Sequence, residues 1–146
     1  MGLWKRLTGS EPKPLQRVTA DPAGTEWLDQ ATRFGDIRID VVGESFYQPA
    51  IRAACSWKPG ADTFHECMAE LVPEPTNEHD PNCIRVEIDG QLVGHLSRAD
   101  AIRLGPSVRA GIAQQGSGMC RAVIAGHAGG ETENLGVFLH LDATVI

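Results

Sequence analysis

The sequence is poor in the features that mark secreted and membrane proteins. It has four cysteines in 146 residues and no CxxC pair. So few cysteines argue against a secreted disulfide scaffold, and their spacing does not match the common zinc-binding motifs. No run approaches the roughly 18 apolar residues of a membrane span, and the N-terminus has no apolar signal-peptide centre. We therefore expect a cytoplasmic protein with reduced thiols and no membrane span.

Basic residues are also scarce. Thirteen Lys and Arg stand against nineteen Asp and Glu, giving a net charge of −6, and this excludes an evenly basic surface for wrapping duplex DNA. The charge is unevenly distributed, because residues 62–89 hold eight acids and one base, whereas residues 98–121 hold four arginines and one acid. An anionic partner would therefore have to contact a local patch.

The composition predicts two regions. Residues 1–36 contain proline, glycine and polar residues without a sustained apolar period, so we expect a flexible N-terminal arm. Trp4 and Trp27 are the arm's candidate anchors for a protein partner. Residues 37–146 are expected to form a single folded domain.

Alternating apolar residues predict a mainly β domain with some α structure. The expected strands cover residues 37–42, 50–57, 64–72, 84–88, 91–96, 119–125 and 135–146. The pair Asp89-Gly90 predicts a two-residue hairpin turn. A helix is expected to start at Ser97 as N-cap and to be interrupted at Gly105-Pro106. This order of elements is typical of a small β-barrel.

Three segments form the most specific pattern in the chain. Residues 42–47 read VGESFY, residues 74–86 read EPTNEHDPNCIRV, and residues 93–98 read VGHLSR. Together they resemble the HIRAN domain, in which a glycine precedes an aromatic pair, an EP-x-N-x-(aromatic)-D-x-x-A-I-x-V stretch follows, and a glycine-containing strand leads into a helix. The resemblance covers residues 37–146. The chain is most similar in organisation to bacterial proteins in which the HIRAN domain occurs without other domains.

The resemblance implies a fold and a function. The fold would be a small OB-like or SH3-like β-barrel of about six strands with a helical insertion late in the chain. The function would be non-catalytic binding of single-stranded DNA ends that carry a free 3′-hydroxyl, in DNA repair or processing. In eukaryotes the domain is fused to Swi/Snf-type ATPases.

The resemblance also assigns roles to individual residues. Ser45 occupies the position at which the eukaryotic DNA-reading version carries an arginine, and the next two residues, Phe46 and Tyr47, would stack on bases. Asp80 would accept a hydrogen bond from the terminal hydroxyl. His95 would line the pocket, and Arg98 would contact a phosphate. These residue types suit the task, because an aromatic face stacks on any base and a carboxylate repels a terminal phosphate.

Each assignment has a structural alternative. Phe46 could instead be a barrel-core residue, Asp80 could serve only as the acceptor of an Asx turn, and His95 could be a structural histidine. The late arginines Arg103 and Arg109 could simply be solvated on a helix face.

Two other functions stay open at this point. The domain could be associated with phosphoester or acid-anhydride hydrolysis, in which case an acid–base set could be formed by His79, Asp80 and His95. Such a domain could also bind a metal ion through His65 and Cys67 together with His79 or Cys83. Alternatively, the arm could make the chain a protein-interaction module. Because no nucleophile motif or strong zinc spacing is present, we expect no catalytic residue, no cofactor and no resident metal.

Overall fold

The structure, a computed structural model, describes residues 37–127 and 134–141. The expected arm, with Trp4 and Trp27, and the chain end beyond residue 141 lie outside this part. The elements are β1 (Ile37–Val42), a short 3₁₀ helix (Glu44–Phe46), α1 (Gln48–Cys55), β2 (Thr63–Pro73), β3 (Ile84–Ile88), β4 (Gln91–Leu96), α2 (Arg98–Gln115), β5 (Met119–Gly126) and β6 (Gly136–Leu141).

The six described strands close into a barrel in which every neighbouring pair is antiparallel. Their order around the barrel is β1-β4-β3-β2-β5-β6, and β6 closes it by pairing with β1 from Ile37↔Leu141 to Asp40↔Phe138. The expected fold class, a small mainly β barrel with a helical insertion late in the chain, is thereby confirmed. Closure gives each of the six described strands a neighbour on both sides, so no free sheet edge remains among them for aggregation.

Side chains alternate between the barrel interior and its outer face, as strand geometry requires. β3 shows this most clearly, because Ile84, Val86 and Ile88 are buried while Arg85 and Glu87 are not. The interior also receives Ala69 and Leu71 from β2 and apolar residues from the other strands. The outward residues of β1, β3 and β4 are therefore free to form a surface site.

Two local predictions are confirmed at single residues. Asp89 and Gly90 both have positive φ and connect β3 to β4 with Ile88 opposite Gln91, the geometry that an Asp-Gly hairpin favours. Ser97 caps α2, because its Oγ accepts a hydrogen bond from the Asp100 N–H at 3.1 Å.

The expected strand over residues 50–57 is wrong. The chain forms α1 from Gln48 to Cys55, with Pro49 in the first turn, where a proline costs little. Gln48 and Ile51 are buried three residues apart on one face, and alanines occupy three of the remaining positions. Helical spacing and alanine propensity therefore outweigh the apolar run that suggested a strand.

The expected break at Gly105-Pro106 is also wrong. α2 runs through Pro106 without interruption, although an interior proline removes one helical hydrogen bond. Ala101, Leu104 and Val108 are buried on one face of α2, and their packing stabilises the continuous helix. Ile102, by contrast, is 57% exposed. Neither described helix combines the length and apolar character needed to cross a membrane.

Gly94 is required by the close approach of β1 to β4. A Cβ atom at this position would lie 2.6 Å from the backbone oxygen of Val42 and 2.5 Å from Cγ1 of Val41. We expect Gly94→Ala to lower the free energy of unfolding in urea by about 1–3 kcal/mol, because β1 must move away. Gly136→Ala is the control, since its Cβ would meet only the Ala125 oxygen at 3.8 Å. Equal losses in the two variants would contradict this account.

Candidate functional site

The outer face of the barrel carries a row of polar side chains where β1, β4 and β3 lie side by side. His95 on β4 stands opposite Val42 on β1 and opposite Arg85 on β3. Residues paired in this way point to the same side of a sheet. His95 and Arg85 therefore share the outer face, directly beneath the segment that connects β1 to α1.

A hydrogen-bonded turn borders this row. The Asn77 side-chain oxygen accepts from the backbone N–H groups of His79 and Asp80 at 2.9 and 3.0 Å, and the Asn77 amide donates to Glu74 Oε2 at 3.0 Å. The turn is closed by the Glu74 N–H, which donates to the Cys83 carbonyl at 2.9 Å. These bonds hold Asp80 at the edge of the outer face.

Asp80 uses its two carboxylate oxygens differently. Oδ1 accepts from the Asn82 N–H at 2.9 Å, which is the Asx turn considered above. Oδ2 lies 3.8 Å from Nε of Arg98, whose side chain is 76% exposed. Arg98 is the first residue of α2, where backbone N–H groups and the helix dipole already favour an anion. The turn and the helix start therefore meet at one point.

Tyr47, the second residue of the aromatic pair, contacts His95. The Tyr47 ring is half-buried and its centroid lies 6.3 Å from that of His95, with the planes tilted by 55°. Phe46 is 82% exposed, so the alternative that it is a barrel-core residue is wrong. Ser45 is exposed beside it on the 3₁₀ helix.

Glu74 and Cys83, at the two ends of the turn, also lie close to His95. One potential ligand atom from each lies within 4.8 Å of the other two, and all three residues are half-buried. Burial chiefly, followed by the nearby carboxylates of Glu74 and Asp80, raises the pKa of the Cys83 thiol. We call this group the Glu74–Cys83–His95 cluster.

The contacts form one continuous surface, which we call the outer cleft. It runs from Tyr47 through His95 and Cys83 to Asp80 and Arg98, with the exposed Phe46 and Ser45 at the Tyr47 end. Of the six candidate site residues, Tyr47, His95, Asp80 and Arg98 are joined by these contacts, and Ser45 and Phe46 directly precede Tyr47 on the 3₁₀ helix. Glu74 and Cys83 were not expected to contact His95, and only the pairing of β2, β3 and β4 could have suggested it.

The metal set considered from the sequence is not assembled. Within residues 37–127 and 134–141, neither His65 nor Cys67 belongs to a group of three potential metal ligands. His65 instead lines a separate pocket of about 260 Å³ at the C-terminal end of α1, together with Trp57, Lys58 and Phe64. None of the six candidate residues lines that pocket.

The family model of the HIRAN domain matches residues 34–135. The crystal structure of the HIRAN domain of human HLTF is similar at 20% identity over 74% of this chain and 75% of that one, with a TM-score of 0.42. A protein from Lactobacillus plantarum is similar at 18% identity over 73% and 99%, with a TM-score of 0.33. No curated protein matches the chain.

Proposed function

The chain belongs to the HIRAN-domain family, a family of nucleic-acid-binding modules, and from this premise we propose that it recognises single-stranded DNA ends with a free 3′-hydroxyl. It would act in DNA repair or processing without catalysing a step itself. The ligand would occupy the outer cleft.

The observation that carries the proposal is the exposed ring of Phe46. A phenylalanine that is 82% exposed contributes little to the barrel core, and the half-buried Tyr47 follows it immediately. An aromatic face stacks on a base with about 1–3 kcal/mol, whatever the base. Two successive rings, one exposed and one half-buried beside His95, therefore suit unpaired nucleotides, whose bases are free to stack.

Asp80 and Arg98 supply the chemistry that a strand end requires. Oδ2 of Asp80 can accept a hydrogen bond from a sugar hydroxyl, whereas a phosphate at the same position would be repelled. Arg98, whose side chain is 76% exposed, can reach the phosphate of the preceding linkage as a charge-assisted donor. Together the two groups would favour a terminal hydroxyl that is followed at once by a backbone phosphate.

The net charge of −6 is compatible with a ligand of this size. Long tracts of nucleic acid require many phosphate contacts, whereas a strand end can be held by stacking, one cation and one hydrogen bond. The affinity should therefore depend only weakly on salt compared with that of a duplex-binding protein.

The experiment is fluorescence anisotropy with matched single-stranded oligonucleotides ending in a 3′-hydroxyl or a 3′-phosphate. We expect the hydroxyl end to bind more tightly, and we expect Phe46→Ala to weaken binding by at least about fivefold, the loss of one stacked base. The stability of this variant should be unchanged, because the ring is exposed.

Phe64→Ala is the matched control. Phe64 is also exposed, at 58%, but it lines the pocket near the end of α1 and should not affect binding. Equal binding of both ends by the native chain, or equal loss in the two phenylalanine variants, would refute the proposal.

A further inference from the structure

The Glu74–Cys83–His95 cluster offers three different donor types to one point. Its carboxylate, thiol and imidazole atoms lie within 4.8 Å of one another. In a tetrahedral zinc site with bonds of about 2.0–2.3 Å, the ligand atoms are about 3.3–3.8 Å apart. Small side-chain rotations, without movement of the strands, would bring the three atoms to that spacing.

We propose that Glu74, Cys83 and His95 bind one divalent transition-metal ion of the zinc class, with water as the fourth ligand. Imidazole and thiolate select zinc-like ions over calcium and magnesium, which prefer oxygen ligands. Three protein ligands and one exchangeable position are the pattern of an open zinc site. This inference goes beyond the binding of DNA ends and does not depend on it.

The backbone holds the three ligands independently of any metal. Glu74 and Cys83 are joined by a backbone hydrogen bond of 2.9 Å from the Glu74 N–H to the Cys83 carbonyl. His95 is fixed by its strand pairing with Arg85 and Val42. Glu74 directly follows β2, Cys83 directly precedes β3 and His95 lies on β4, so the ligands come from the ends of neighbouring strands and little ordering is required when the ion binds.

The carboxylate of Glu74 already has two neighbours, Asn77 and Arg85, that hold it in place. Asn77 donates a hydrogen bond to Glu74 Oε2 at 3.0 Å. Nε of Arg85 lies 3.3 Å from Glu74 Oε1 in an electrostatic contact that lacks hydrogen-bond geometry, and Arg85 is also held by Glu87 at 2.6 Å. Such outer partners orient metal ligands. Glu87 offsets the positive charge that Arg85 would otherwise direct at a cation.

The arrangement suits a metal better than a cysteine nucleophile. In a catalytic triad the base lies between the nucleophile and the acid, which orients that base. Here one ligand atom from each of the three side chains lies within 4.8 Å of the other two, so the thiol approaches the carboxylate itself and not only the imidazole. Convergence of all three on a common centre is the geometry of coordination.

The test is a titration of the full chain, stripped of metal by chelation, with Co²⁺ followed by absorbance. We expect one Co²⁺ per chain, with a sulfur-to-cobalt charge-transfer band in the near ultraviolet and displacement by Zn²⁺. Cys83→Ser should abolish that band, and His95→Asn and Glu74→Gln should each weaken affinity by about a hundredfold, at least as much as the loss of a residue that only orients a metal ligand.

Cys55→Ser and His65→Asn are the matched controls, and both should bind Co²⁺ like the native chain. Circular dichroism of every variant separates loss of ligands from loss of fold, and Glu74→Gln, which keeps an acceptor for Asn77, serves if another variant unfolds. Absence of the charge-transfer band in the native chain would overturn the proposal. So would its persistence in Cys83→Ser, or an equal loss in Cys55→Ser. No DNA is present, so failure here leaves the end-binding proposal unaffected.

Discussion

Asp80→Asn is expected to abolish the discrimination between 3′-hydroxyl and 3′-phosphate ends. In the native chain we expect the hydroxyl end to bind about 10–100-fold more tightly, the range for a hydrogen bond to a charged group. In the variant we expect the two dissociation constants to agree within about threefold. The measurement is the ratio of the two constants from anisotropy titrations.

The geometry of Asp80 makes this substitution selective. The asparagine oxygen can still accept from the Asn82 N–H, as Oδ1 of Asp80 does at 2.9 Å, so the turn is kept. The second oxygen, which lies 3.8 Å from Arg98, is replaced by the amide nitrogen of asparagine, which donates hydrogen bonds and does not accept them. The variant therefore loses both the acceptor for a hydroxyl and the negative charge that repels a phosphate.

Asp89→Asn is the control for the change in net charge. Asp89 is exposed in the hairpin turn with φ of 53°, a conformation that asparagine also adopts readily. Its ratio of dissociation constants should equal that of the native chain. A ratio in Asp80→Asn that stays close to the native value would show that Asp80 has only a structural role in the turn.

Gln48→Leu is expected to cause the largest loss of stability, about 3 kcal/mol. Gln48 is 7% exposed, and its side chain pairs with the backbone of Leu135 like a strand partner. Oε1 accepts from the Leu135 N–H at 2.8 Å and Nε2 donates to the Leu135 carbonyl at 2.8 Å. Nε2 also donates to the Glu44 carbonyl at 3.1 Å.

The cost follows from buried groups that lose their partners. Leucine has a similar size but leaves the N–H and carbonyl of Leu135 without hydrogen bonds, and each such group costs about 1–3 kcal/mol. The measurement is urea unfolding, with exposed Gln91→Leu as control and an expected change within about 0.5 kcal/mol. If Gln48→Leu lowers the free energy of unfolding no more than the control does, water must form the hydrogen bonds of the Leu135 N–H and carbonyl in the variant.

Gln48 also explains how the aromatic pair is held at the outer cleft. It follows Tyr47 directly, and its bonds to Glu44 and Leu135 tie the 3₁₀ helix and the start of α1 to the beginning of β6. The exposed Phe46 is thus carried on an anchored segment, although its own ring is 82% exposed.

Patterns confined to a few neighbouring residues determined most of the barrel. Period-two alternation predicted β1, β2 and β3, Asp89-Gly90 predicted the hairpin and with it β4, and Ser97 predicted the start of α2, because each signal acts through local backbone geometry. Where two local signals competed, packing decided the outcome: α1 is a helix with Ile51 buried, and α2 continues through Pro106 because Leu104 and Val108 bind it to the barrel.

The sequence by itself also determined which residue types the chain can bring to a ligand: an aromatic pair, a turn carboxylate and a cation at a helix start. Tertiary structure alone decided that Phe46 is exposed, that one oxygen of Asp80 remains near Arg98, and that Glu74, Cys83 and His95 converge. The physical reason is strand pairing. Proximity between residues far apart in the chain depends on the register of β2, β3 and β4, which the packing of the whole barrel selects.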